Sequence, residues 1–375
     1  MSSLPSIRVP ENAEVLDEED RAFISSTQAL KDRSARPIHS QFLVAATVVY
    51  VDSHGTQRSV EGVNSETCVL SSCICAERTA LVQLRLAATG WRFVRKVYIT
   101  ATCTALITPG LLCREFLSEF SEASCAVRER HEGSALAPPA NPCGDIDIVL
   151  FNDSGNFKKH SLAALYPHPP LYHGVPNAML ESAGESFPRE PVSLLTLQSA
   201  GAGLDAALLP AAEGLCRAVT RLASEAHEMD ELYPIHLAAG ALFADGETSL
   251  ARQLKGLEYG CSADAVVRLS GCFKKGRAVA LIVQSDQYGN LIAPSAPARS
   301  LLTEHCERLG LSSAHVLLHT APGGSGAAKL AALSIAALAS DAPEIKTGLR
   351  AALSPKSQGG SSSPGSFTGG AGKPF

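Results

Sequence analysis

Gly62-Val63-Asn64-Ser65-Glu66, Cys75-Ala76-Glu77-Arg78 and Pro109-Gly110-Leu111-Leu112-Cys113-Arg114 are the stretches that decide how this chain folds. The segment 75–88 has the apolar spacing of a helix that opens at Cys75, entered through a turn at Ser71-Ser72. Leu111 to Phe120 reads as a second helix, starting beside Pro109 and Gly110. A cysteine in the first turn of a helix meets the positive end of the helix dipole, which favours the thiolate. Two such cysteines and the carboxylate of Glu77 are residue types that can bind a divalent metal and carry protons beside it. Taken singly, each has a plainer reading: Cys75 as a small buried hydrophobe, Glu77 and Arg78 as a surface pair. The combination and its spacing carry the information.

Around these stretches the pattern alternates. Residues 15–34 read as an amphipathic helix with acidic first turns. Residues 41–52 and 58–64 read as a hairpin of strands, and 93–103 and 144–153 as further strands. The segment 121–144 reads as a long surface loop. Strands alternating with helices predict an α/β domain, a mixed sheet flanked by helices. The order then recurs: a helix over 203–227, a strand at 234–246, a helix at 262–273 and a strand at 276–285. A helix at 296–310, a strand at 314–320 and an Ala-rich helix at 326–340 complete it. A shared Pro-Ile-His at 37–39 and 234–236 suggests how the halves align, as an internal duplication. The expected organisation is a first domain over 1–165, a Pro-rich linker over 166–192, a second domain over 193–350 and a Gly/Ser-rich tail over 351–375.

Composition narrows the function classes. Of the 375 residues, 45% are hydrophobic and 18% charged, enough to bury two cores. The formal net charge of −5 lacks the basic field of a sequence-independent nucleic-acid binder. No apolar run approaches a membrane span, and no secretory signal opens the sequence, so no membrane partner and a cytoplasmic location are expected. Eleven cysteines, an odd and irregular set, read as reduced thiols.

At its three motif stretches the chain resembles the zinc-dependent cytidine deaminases of the two-domain, tandem type, whose nucleoside enzymes usually read G-x-N-x-E, C-A-E-R and P-C-x-x-C-R-Q. The resemblance spans about 40–350. It implies zinc held by Cys75 and Cys113, and Glu77 as the proton carrier for hydrolysis of cytidine to uridine and ammonia. It also implies that Phe42 packs on the pyrimidine, that Asn64 and Glu66 bind ribose hydroxyls, and that Arg78 tempers the thiolate charge. One position departs from the pattern: Gly110 stands where the family has the first cysteine of P-C-x-x-C. Cys73 and Cys103 are the nearby thiols that could stand in, whereas His39 and His305 fall outside ligand positions. Ala45 replaces a usual glycine. In the second half Ser262-Ala263-Asp264 stands opposite Cys-Ala-Glu, Gln253 opposite Glu66 and Ala251 opposite Asn64, so that copy reads as degenerate. Three functions follow from the resemblance: an impaired deaminase with a structural or assembly role, as a homodimer or part of a larger complex; an active zinc-dependent cytidine or deoxycytidine deaminase; or a nucleoside-binding module without turnover.

Overall fold

The computed structural model describes residues 16–128, 144, 146–201, 205–226, 229–231, 233–257, 259–274, 276–320 and 327–340. The expected tail over 351–375 lies outside these residues. In the first unit, α1 (Glu18–Arg33) opens with a reciprocal capping box between Asp17 and Asp20. It lies across β1 (Val44–Val51), which pairs antiparallel with β2 (Gln57–Val63). Next come α2 (Ala76–Leu84), β3 (Phe93–Ala101), α3 (Leu111–Ser118), α4 (Glu122–Arg128), β4 (Asp147–Phe151), β5 (Phe157–Ser161) and α5 (Leu162–Leu165). The sheet order is β2-β1-β3-β4-β5, with only β3 and β4 parallel. A parallel neighbour needs a crossover, and α3 and α4 lie in that connection.

Two details fix α2 against the sheet. A Cβ at Gly62 would lie 2.4 Å from Ala76 O and Ala80 N, so the glycine of the first motif lets α2 sit on β2. On the other face, the buried Asp20 carboxylate accepts from Lys159 (2.6 Å), Lys96 (2.9 Å) and Tyr98 (2.8 Å), which locks α1 in place. Burial works against the charge of Asp20, but these donors hold its pKa well below the ordinary carboxylate range.

After α6 (Leu180–Ser186) and α7 (Leu194–Ser199), the second unit runs α8 (Leu209–Ala223), β6 (Leu237–Phe243), β7 (Thr248–Arg252), α9 (Ala265–Leu269), β8 (Val279–Asp286), α10 (Ala296–Glu304), β9 (His315–Thr320) and β10 (Lys329–Ser334). Its sheet order, β10-β9-β8-β6-β7, matches the first unit strand for strand. Both sheets carry a register shift at the same place, after Val49 and after Leu242. The chain is thus two tandem α/β units, each a five-stranded mixed sheet flanked by helices.

Several expectations need correction. Residues 329–334 form a strand, because pairing with β9 from Lys329↔Thr320 to Ser334↔His315 outweighs the helix propensity of Ala and Leu. The 121–144 segment begins with helix α4, which buries Ser124, Cys125 and Val127; 129–143 lies outside the described residues. The linker region contains α6, and β5 adds an edge strand that its polar FKKHS sequence does not announce. The alignment of the halves also shifts. Asn64 and Gln253 both donate their backbone N–H to the carbonyl of the first residue of β1 and β6, Val44 and Leu237. Cys75 and Asp264 are the N-caps of α2 and α9. Gln253 therefore matches Asn64, Asp264 matches Cys75, and Ile235 matches Phe42, so the repeated Pro-Ile-His does not superpose.

The units meet along α3 and α10. Arg114 and Arg299, fully buried and at matching positions, exchange contacts across the junction. Arg114 donates to Pro109 O (2.7 Å), Leu165 O (2.6 Å) and Ser340 O (2.6 Å). Arg299 donates to Pro294 O (2.7 Å), Pro167 O (2.7 Å), Leu338 O (3.1 Å) and His168 O. Glu115 reaches from α3 to accept from Ala296 N at the start of α10, at 2.8 Å.

Candidate functional site

The helix starts of α2 and α3 converge over one end of the first sheet. Cys75 is the N-cap of α2, Gly110 the N-cap of α3, and neither helix has a side-chain cap. The Cys75 and Cys113 sulfurs and a Glu77 carboxylate oxygen lie within 4.8 Å of one another, with Glu77 and Cys113 buried. A hydrogen bond from Cys113 draws the Cys75 thiol down to about 6 against the effect of burial. Arg78 assists, with a guanidinium nitrogen 4.0 Å from Cys75 Sγ and 3.0 Å from Cys73 O. The Cys113 thiol is held well above its usual value by that same hydrogen bond and by burial. Burial, then the charge on Cys75, pushes Glu77 up to about 7.

The expected substrate residues lie near this group but are engaged by the chain itself. The Asn64 side chain accepts from Val44 N (2.8 Å) and donates to Phe42 O (2.9 Å), pinning the entrance to β1. Gln253 Nε2 repeats half of this in the second unit by donating to Ile235 O at 3.2 Å. Glu66 accepts from Ser40 N (2.9 Å) and Ser40 Oγ (2.5 Å). Phe42 is buried.

The thiols considered as substitutes point elsewhere. Cys73 Sγ faces the carbonyls of Thr67 (3.7 Å) and Val69 (3.8 Å), and Cys103 Sγ faces Ala105 O (3.2 Å). Neither belongs to the Cys75–Glu77–Cys113 group. Position 110 is open: a Cβ there would meet nothing within 4 Å. Catalytic zinc is held by three protein ligands and a water. Two sulfurs, with a glycine in place of the third, do not fit that requirement.

The second unit shows what can replace a metal at paired helix starts. Asp264, at the position of Cys75, caps α9 by accepting from Val266 N (2.7 Å) and Val267 N (3.3 Å). Ser295, at the position of Gly110, donates to the other Asp264 oxygen at 2.8 Å. A protein hydrogen bond ties these helices together. Sequence reading missed this because its alignment of the halves was displaced by two residues.

A mixed sheet under two helices that present Cys-Ala-Glu and a second cysteine defines a cytidine-deaminase-like α/β unit. The family model for the cytidine and deoxycytidylate deaminase zinc-binding region matches residues 17–128, within the amino-terminal unit. Among solved structures, cytidine deaminase from Burkholderia pseudomallei is 23% identical, covering 40% of this chain and 97% of its own, with a TM-score of 0.31. The Mycobacterium tuberculosis enzyme is 17% identical over 40% of this chain and 96% of its own, TM-score 0.28. The Mycobacterium leprae enzyme is 19% identical over 40% and 100%, TM-score 0.28. No curated protein matches the chain. No helix among the described residues is long and apolar enough to cross a membrane.

Proposed function

We propose that this protein is a cytidine-deaminase-like protein without ordinary catalytic competence, serving a structural or assembly role. One observation carries this reading: the α3 helix start presents Gly110 where a third anionic sulfur is needed, and among the described residues only Glu77 joins the two cysteines. A carboxylate that ligated the ion would no longer be free to move protons. The internal bonding of Asn64 and Glu66 and the metal-free pairing of Asp264 with Ser295 support the same reading. In this reading the halves are a duplication with domains over 1–165 and 193–350, and the buried arginines hold them as one assembly unit.

One observation favours residual turnover instead. Glu77, raised to about 7 and beside both sulfurs, has the protonation behaviour of a proton carrier near neutral pH. The two readings separate in an ammonia-release assay with cytidine and deoxycytidine in zinc-buffered solution. The structural reading expects no release above the rate of a Glu77→Gln variant. Steady release that Glu77→Gln abolishes would establish the enzyme.

A further inference from the structure

We infer that the cavity between α8 and the segment 189–192 binds an organic phosphate, a phosphate monoester dianion with an apolar body. The cavity has a volume of about 520 Å³, within the range of small-ligand sites. It lies on the α8 face of the second sheet. Along β6, Ala238 and Leu242 pack with Leu215 and Val219 of α8, while Ala239 and Ala241 point to the opposite face and pack with α9. The lining belongs entirely to the second unit and the segment leading into it, and shares no residue with the Cys75–Glu77–Cys113 group.

Three guanidinium groups carry the site. Arg217 and Arg221 stand one turn apart on α8 and line the cavity, with Thr220 between them. Arg189 lines it from the 189–192 segment, and its two terminal nitrogens donate to Phe187 O (3.1 Å) and Tyr288 O, so neutral carbonyls fix this cation in place. The wall that carries it is itself held. Glu190 N donates to Ala328 O at 2.8 Å. Leu291 N donates to His319 Nδ1, which leaves the ring proton on Nε2 to be donated to Glu190 O at 3.0 Å. Among the described residues neither Arg189 nor Arg221 pairs with a carboxylate, and Arg217 has only Glu213 at 3.5 Å. Glu190 is the one carboxylate in the lining, and it accepts from Leu330 N at 3.0 Å. Three guanidiniums against one carboxylate leave a surplus of two positive charges, in a chain whose formal net charge is −5.

Charge and shape select the ligand class. A surplus of two matches a phosphate monoester, which is close to a dianion at neutral pH, better than it matches a single carboxylate. Guanidinium forks suit phosphate oxygens, which they bind in pairs of parallel hydrogen bonds. A metal cation would be repelled by the same charges. Inorganic phosphate alone would leave most of the volume empty. The rest of the lining is apolar: Pro191, Val192, Leu291 and the buried Cys216. Burial pushes the Cys216 thiol up to about 12, so it adds no negative charge. These surfaces would take the carbon body of the ester while the arginines hold its phosphate.

The test is calorimetric titration of the full chain with phenyl phosphate at low salt, with benzoate, phenol and inorganic phosphate as comparisons. Phenyl phosphate is expected to bind at least about tenfold more tightly than any of the three, and to weaken as salt is raised. Arg221→Gln changes an exposed side chain, so the variant should melt as the parent does and bind phenyl phosphate at least about tenfold more weakly. Arg33→Gln removes an exposed guanidinium from α1 of the first unit and should leave binding unchanged. The inference fails if phenyl phosphate does not bind, or if any of the comparison compounds binds as tightly. It also fails if Arg221→Gln binds as the parent does, or if Arg33→Gln weakens binding as much, which would reduce the effect to diffuse charge.

Discussion

Gly110→Cys restores a sulfur to the position that lacks one, and the structure sets its cost. Gly110 has φ −62° and ψ 157°, a conformation open to any residue, and a Cβ there meets no atom within 4 Å. The metal-free protein should therefore change stability by no more than ~1 kcal/mol, since the entropy gained by replacing glycine is itself about 0.4–1 kcal/mol. The effect on metal is larger. Changing even an indirect partner of a metal ligand alters affinity roughly 10–100-fold, and a direct third thiolate should do at least as much. At ~1.4 kcal/mol per tenfold step this is about 1.4–2.8 kcal/mol or more of binding. The assay is competition for zinc against a chromogenic chelator, with thiolate-to-metal absorption of the cobalt form as a second readout. A folded variant with unchanged melting temperature and zinc affinity within about threefold of the parent would refute the placement of position 110 as the missing ligand.

Other consequences follow from the same geometry. Arg114→Met should cost at least ~3 kcal/mol in urea unfolding, because a buried guanidinium leaves three carbonyls without their charged donor. Arg299→Met should cost as much, and the double variant should cost less than the sum, since both act on one junction; strict additivity would contradict the shared-interface account. Asp264→Ala removes a helix cap and strands Ser295, a loss of about 1–2 kcal/mol, and unchanged stability would show that the pair does not hold α9 to α10. His319 gives a pH signature. Burial lowers its pKa from 6.5 to about 4, and the ring takes Leu291 N on one nitrogen (2.9 Å) and faces Glu190 O with the other (3.0 Å). Below about pH 6.5 the unfolded chain gains a proton that the folded chain refuses, so stability should fall as pH drops from 6.5 toward 4, by up to roughly 3 kcal/mol. His319→Gln should flatten that slope between pH 7 and 5, and an unchanged slope would assign the acid sensitivity elsewhere.

Much of the fold could be read from the sequence where local signals agree with tertiary packing. The apolar VAATVVYV run of β1, the helix opening at Cys75 and the gap at Gly110 all fall where the motifs place them. The misses share a physical cause. Lys329–Ser334 is helical by propensity and becomes a strand only because β9 offers an unpaired edge. FKKHS lacks the alternation of a buried strand because β5 is an edge facing water on one side. The displaced alignment arose from the likeness of Ser262-Ala263-Asp264 to Cys-Ala-Glu, whereas the true match between halves lies in hydrogen-bond register and helix caps.

The most direct measurement is the amount of zinc retained per chain after dialysis against a metal buffer that a three-thiolate site would withstand. The account expects well under one equivalent in the natural protein and close to one in Gly110→Cys. One tightly held equivalent in the natural protein, lost on Cys113→Ala, would contradict it.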